Sequence, residues 1–140
     1  MDLACGNGVL GLMAAAPHPD ATVHFVDESF MAVASARDNF RAAFGEGRAA
    51  EFRVGDGLSD FAAASADLIL CNPPFHQQHA VGDQLAQRMF HDARRVLRPG
   101  GELWVVGNRH LGYHVALKRL FGQADLIASN AKFVILRSAR

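Results

Sequence analysis

Short apolar runs alternate along the chain with longer stretches in which apolar residues recur every third or fourth position, the pattern of strands alternating with helices. Met1 to Ala4 reads as the stump of a strand, followed by the glycine-rich turn Cys5-Gly6-Asn7-Gly8 and a helix through Val9, Leu10, Leu12 and Met13. Thr22 to Val26 predicts a second strand ending at Asp27. Ser29 is placed to cap a helix whose Val33, Ala36, Phe40 and Phe44 share a face. Phe52 to Val54 and Ala66 to Cys71 predict the third and fourth strands. The fourth is stopped by Asn72-Pro73-Pro74, because proline lacks the N–H that a central ladder requires. A helix from about Asp83 to Leu97 comes next, then a turn at Pro99-Gly100-Gly101 and a fifth strand from Glu102 to Val106. A helix over roughly Leu111 to Phe121 precedes two last β-like runs, Asp125 to Ala128 and Lys132 to Leu136. Ser129-Asn130-Ala131 between them reads as a hairpin turn, since asparagine tolerates positive φ. The pattern predicts an α/β fold: a mostly parallel, doubly wound sheet covered on both faces, with a truncated first strand and an antiparallel C-terminal hairpin.

Composition narrows the class. At 140 residues, 50% hydrophobic and 20% charged, the chain is one domain's worth. It can bury about two thirds of its unfolded surface without disulfides or structural metal. Disorder and small disulfide scaffolds are excluded. No apolar run approaches the roughly 20 residues of a membrane helix, and the N-terminus lacks a signal-like pattern, so a soluble, cytoplasmic protein is expected. Cys5 and Cys71 are far apart and outside any C-x-x-C pair, which predicts reduced, partly buried thiols. Fourteen basic residues balance fourteen acidic ones. A nucleic-acid partner would therefore need a local patch or a further domain to attract it.

Two places carry candidate chemistry. The first is Gly6-x-Gly8-x-x-Gly11, after a strand stump and opening a helix, with Asp27 about twenty residues on. Such glycines allow a tight turn, close approach of backbone to ligand and close helix–strand packing, and an acid at the tip of the second strand can accept from both hydroxyls of a ribose. The pattern favours an adenosine-bearing ligand without saying which. Asp2 supplies a choice, because its carboxylate precedes the loop where a dinucleotide would put its diphosphate, and anion beside anion is unfavourable. S-adenosylmethionine presents an ammonium and a sulfonium there instead. Asp56, after the third strand, is placed to accept from the adenine amine, although a solvated turn aspartate is the plainer reading.

The second place is Asn72-Pro73-Pro74-Phe75 at the end of the fourth strand, which in such a sheet neighbours the first. An exocyclic amine on a base ring is a weak nucleophile. The amide oxygen of Asn72 and the stiffly held carbonyl of Pro73 can both accept from that NH2 and orient its lone pair, and Phe75 offers a ring on which a flipped base can stack. No general base is needed, because the amine loses its proton easily once methylated. The plainer alternative is that Asn-Pro-Pro merely ends a strand and Phe75 is core.

With Asp2-Leu3-Ala4-Cys5-Gly6-Asn7-Gly8 and Asn72-Pro73-Pro74-Phe75 the chain resembles the S-adenosylmethionine-dependent N-methyltransferases. Val26 to Ser35, Cys71 to Ala80 and Gly107-Asn108-Arg109-His110-Leu111 resemble one branch, the bacterial ribosomal RNA large subunit methyltransferase G family, over essentially the whole chain. The small-subunit guanine-N2 enzymes are similar through Asn-Pro-Pro-Phe-His and diverge after it. The resemblance implies methylation of a guanine N2 amine in 23S ribosomal RNA with S-adenosylmethionine as cofactor. Cofactor contacts are implied at Asp2, Cys5, Gly6, Asn7, Gly8, Asp27, Glu28, Asp56 and Asn72, catalytic ones at Asn72, Pro73, Pro74 and Phe75, and substrate contacts at Phe75, His76, His79 and Arg109. It also implies a family chain roughly twice as long, with an N-terminal domain of similar fold that helps to hold RNA. This chain is accordingly expected to be a fragment of a two-domain protein or to begin at a misassigned start.

Other residues have plainer readings. His110 and His114 lie one helical turn apart, but no cysteine or carboxylate cluster accompanies them, so no metal is expected. His76 and His79 can touch RNA or simply satisfy backbone carbonyls. Arg94, Arg95 and Arg98, with Arg109 and Lys118, are the candidates for phosphate contacts, a solvated helix face being the default for the first three. Trp104 reads as core. Adenine N6 or a protein glutamine amide also suits Asn-Pro-Pro-Phe, methyltransferase-like folds recur as non-catalytic scaffolds, and an NAD-dependent oxidoreductase lacks any recognisable hydride-transfer site.

Overall fold

A computed structural model describes residues 1–74 and 79–140, with side chains described from Asp83 onward in the second stretch. Two compact units divide the chain, Met1–Gly57 and Leu58–Arg140.

In the first unit, β1 (Asp2–Leu3), β2 (Val23–Asp27) and β3 (Ala50–Val54) pair in parallel, Asp2 opposite Phe25 and Phe25 opposite Phe52. The connections are α1 (Val9–Ala15) and α2 (Phe30–Phe44). β1 is only two residues long, as the stump predicts. Ser29 caps α2 as expected, its hydroxyl accepting from the Ala32 N–H at 3.2 Å. The core is aromatic. Phe25 is fully buried, stacked on Phe52 at 5.1 Å and edge-on to Phe40 at 5.5 Å, with Cys5, Ala15 and Ala36 around them. Offset and T-shaped contacts of this kind add to the area the rings bury.

In the second unit, β4 (Ala66–Cys71) pairs in parallel with β5 (Leu97–Asn108), and β5 pairs antiparallel with β7 (Phe133–Ala139), which pairs antiparallel with β6 (Asp125–Ser129). Helices α3 (His79–Val96) and α4 (Tyr113–Phe121) supply Phe90, Ala93, Val96 and Leu117 to a core with Ile69, Leu103, Val105 and Leu136. Phe90 meets the Tyr113 ring edge-on at 5.3 Å.

Several boundaries differ from expectation. Pro99-Gly100-Gly101 lies inside β5: Ala66 pairs with Leu97 and Leu68 with Glu102, so the predicted turn is an outpouching of one strand. α3 begins at His79 rather than near Asp83. The predicted helix at Leu111 is broken by Gly112, which separates a single 3₁₀ turn, Arg109–Leu111, from α4. His110 and His114 therefore sit on different elements. The hairpin turn holds, for a different reason from the expected one: Asn130 is not at positive φ, and its Oδ1 accepts from the N–H groups of Lys132 at 2.9 Å and Phe133 at 2.8 Å. Trp104 is half-buried rather than core. It lies on the face of β5 opposite Leu103 and Val105, with the Arg137 guanidinium 5.9 Å from its ring centroid.

Candidate functional site

In the first unit the glycine loop is held from below by two carboxylates. Asp2 is buried, and its Oδ2 accepts from the Gly11 N–H at 2.9 Å. Burial pushes its pKa up to about 7, outweighing the Gly11 N–H and the N-terminal amine, which lower it; Asp27 adds to the rise. The same burial, with the charges of Asp2 and Asp27, pushes the Cys5 thiol up to about 12, so it stays protonated. Asp27 receives the Gly6 N–H on Oδ2 at 3.0 Å and the Ser29 N–H on Oδ1 at 2.9 Å. Each of its oxygens keeps a second acceptor direction.

The glycines divide the work. Gly8 is left-handed at φ 86 and caps α1. A Cβ on Gly11 would sit 2.3 Å from Phe25 Cε1, which makes this glycine the close-packing one. Around a Cβ on Gly6 there would be no atom within 4 Å, so the loop has open space above it. The structure thus gathers Asp2 of β1 and Asp27 of β2 around the loop that carries Cys5, Gly6, Asn7 and Gly8. Glu28 is exposed beside Asp27, and Asp56 is exposed next to Gly55, whose N–H donates to the Asp27 carbonyl at 3.0 Å. One supporting residue escapes sequence reasoning: Asn39 of α2 donates to the Asn7 carbonyl at 2.9 Å and steadies the loop. A polar residue on an exposed helix face gives no signal of such a role.

In the second unit Asn72 is exposed and Pro73 buried at the end of β4, and both line a cavity of about 740 Å³. Its other walls include Asn108, Arg109 and His110 after β5, Tyr113 of α4, and Lys132 and Phe133 of the hairpin. No acidic side chain is among the described lining residues. The turn is tied to the 3₁₀ segment: the Arg109 N–H donates to the Lys132 carbonyl at 2.9 Å and the Arg109 guanidinium to the Asn130 carbonyl at 3.3 Å. Arg109 is thereby brought beside Asn72 and Pro73, together with Lys132 and Phe133, which sequence reasoning did not single out. Pro74 is half-buried. Phe75 and His76 lie outside the described residues, as does the side chain of His79.

The remaining cations divide. Arg95 is half-buried and engaged within the fold. Its guanidinium donates to the carbonyls of Phe61 at 2.7 Å and Leu58 at 2.8 Å, clamping the segment that leads to β4. Arg98 is paired with Asp67 at 2.7 Å. Arg94 and Lys118 are exposed and do not line the cavity. Both cysteines are outside any disulfide among the described residues, and both are buried rather than partly so. Among the described residues, no three His, Cys, Asp or Glu side chains cluster as a metal site, and no helix is long and apolar enough to cross a membrane.

The chain is 62% identical over 139 residues to "Ribosomal RNA large subunit methyltransferase G" of Pseudomonas paraeruginosa, covering 99% of this chain and 37% of that protein. It is 60% identical over 140 residues to the protein of the same name from Streptomyces avermitilis, covering 36% of it. The chain therefore spans little more than a third of the length of these relatives. Among solved structures, a T. thermophilus 16S rRNA N2 G1207 methyltransferase in complex with AdoMet and guanosine matches with a TM-score of 0.81 and 28% identity, over 99% of this chain and 36% of that one. The Rossmann-like methyltransferase fold expected from the alternating pattern is thus the one observed. The profile described as "Methyltransferase small domain" matches residues 1–137, and the chain belongs to that family.

Proposed function

We propose that this chain is the cofactor-binding and catalytic part of an enzyme that methylates the exocyclic N2 amine of a guanine in ribosomal RNA, 23S by the names of its relatives, using S-adenosylmethionine. Residues 1–140 are read as one domain of a longer two-domain, cytoplasmic protein. The observation that carries this reading is Asn72 with Pro73 in the wall of a cavity rimmed by cations and aromatic rings.

The first unit suits the cofactor. A buried carboxylate with its pKa near 7 is a group that a cation would stabilise, which fits an ammonium or a sulfonium better than a diphosphate. The free acceptor directions of Asp27 suit a ribose diol, the space above Gly6 suits close approach of the ligand, and Asp56 suits the adenine amine. When bound, S-adenosylmethionine supplies an electrophilic methyl group. The chain's own task is to present the amine: the Asn72 amide oxygen and the Pro73 carbonyl accept its two N–H bonds, which turns the nitrogen lone pair outward for attack. Phe75 stacks the base. The proton leaves to water after transfer, so no residue needs to act as a base.

Asn72→Ala tests this. Turnover is expected to fall about a hundredfold or more, as when a positioning contact is lost, while affinity for S-adenosylhomocysteine changes less than twofold. Equal loss of both would remove Asn72 from the amine. Mass spectrometry of the digested RNA is expected to find N2-methylguanosine, and N6-methyladenosine would redirect the substrate assignment.

A further inference from the structure

The cavity beside Asn72 is larger than a base requires and carries more charge than a neutral base could use. Its volume of about 740 Å³ lies well inside the range of ~300–1,000 Å³ that holds whole small molecules. Three of its lining side chains, Arg109, His110 and Lys132, are basic or can become so, and none of the described ones is acidic. This is notable in a chain with zero net charge. Elsewhere in the second unit, Arg95, Arg98 and Arg137 are taken up by carbonyls or carboxylates. Arg109 and Lys132 have no carboxylate partner among the described residues, the Arg109 guanidinium donating one bond, to the Asn130 carbonyl at 3.3 Å. They come from different elements, yet the Arg109 N–H bond to the Lys132 carbonyl joins their backbones, and the Asn130 side chain fixes the turn from which Lys132 projects. Phe133 follows immediately and is 46% exposed while lining the same cavity. A pair of cations on joined backbones beside an exposed ring is the pattern that grips single-stranded nucleic acid: charge takes the phosphate and the ring takes a base.

Resting on the ribosomal RNA reading above, we infer that the hairpin turn and the 3₁₀ segment form a second nucleotide subsite, in which Arg109 and Lys132 bind the phosphate joining the target guanosine to its neighbour and Phe133 stacks that neighbour's base. The neutral chain thereby gains the local attraction for RNA that its overall charge does not provide. The subsite also separates a nucleotide within a strand from a free nucleoside.

The test compares guanosine with the dinucleotides GpU and UpG, which differ in the side that carries the phosphate, by NMR titration of the chain. One dinucleotide is expected to bind about tenfold more tightly than guanosine, the usual scale of a charge-assisted contact. Lys132→Gln is expected to abolish that advantage and to flatten the dependence of log affinity on log salt by about 0.7, one single-strand phosphate's worth, with guanosine affinity unchanged. Phe133→Ala is expected to weaken the same dinucleotide and leave its salt slope alone. Because the Lys132 side chain makes no hydrogen bond among the described residues, an unchanged amide spectrum away from the turn will show that the variant is folded. Arg109→Gln provides a second reading from the other element. If the dinucleotides bind no better than guanosine, or if Lys132→Gln weakens guanosine equally, the subsite is wrong while the guanine reading stands. If neither guanosine nor a dinucleotide binds, both readings fall.

Discussion

At the scale of single residues, the glycine loop shows how packing overrides intrinsic preference. Replacing a glycine inside a helix by alanine ordinarily gains about 1 kcal/mol. Gly11→Ala in α1 is expected to do the reverse, because the new Cβ would lie 2.3 Å and 2.8 Å from Cε1 and Cζ of Phe25. That ring has nowhere to go, fixed between Phe52 and Phe40 in a fully buried site. Overpacking of this kind costs about 1–3 kcal/mol, which urea titration will read as a lower midpoint; a raised midpoint would mean that the ring can move aside. Asp2 sets a second expectation. Its folded pKa of about 7 lies above its ordinary value of 3.8, so the folded state holds a proton that the unfolded state has released. The stability this gives is fully present below pH 3.8 and is lost as pH rises through about 7. Asp2→Asn removes the titration, so the variant's stability relative to the parent chain is expected to climb between pH 4 and 8 by an amount on the order of a few kcal/mol. A difference that stays flat with pH would mean that Asp2 is ionised throughout.

At the scale of elements, neighbouring arginines in α3 make different predictions although they look alike in sequence. Arg95→Ala removes the guanidinium bonds to the carbonyls of Leu58 and Phe61 and is expected to cost about 1.5–3 kcal/mol, the range for hydrogen bonds to a charged donor. Arg94→Ala, on the exposed side, is expected to stay within ±0.5 kcal/mol. Thermal melts of the two variants side by side will decide; equal shifts would deny the clamp. The elements themselves were largely legible, because strand alternation, the Ser29 cap and the stop at Asn72-Pro73 are local signals. What was not legible depended on partners distant in sequence. Pro99-Gly100-Gly101 looks like a turn in isolation and is absorbed into β5 because Ala66 and Leu68 pair on either side of it. Trp104 is apolar enough for a core, and only the strand's register turns it towards Arg137. Gly112 is one residue in a helical pattern, and its left-handed conformation puts His110 and His114 on separate elements.

At the scale of the whole molecule, the candidate residues of the two units were unequally visible. The glycine loop with Asp27 could be read because a strand, a turn and a helix adjacent in sequence build it. The cavity could be read at Asn72, Pro73 and Arg109 but not at Lys132 and Phe133, which reach it through the pairing of β5 with β7. A last expectation joins the loop's electrostatics to the stability of the entire chain. Binding to the folded state alone stabilises it by about 2.7 kcal/mol when ligand is at a hundred times its Kd, which for a chain of this size is a rise of roughly 5–10 °C in Tm. Above pH 7, where Asp2 is ionised, S-adenosylmethionine is expected to produce that rise, and NAD none, since its diphosphate would meet the Asp2 carboxylate. The cation should also lower the Asp2 pKa, so that below about 7 binding must expel a proton. Affinity is then expected to increase with pH from 6 to 7, by less than tenfold, and to level off above 8. In Asp2→Asn that slope should vanish together with part of the affinity. A slope that survives the substitution would assign the proton to another group, and equal stabilisation by NAD would mean that the loop does not choose its ligand by charge.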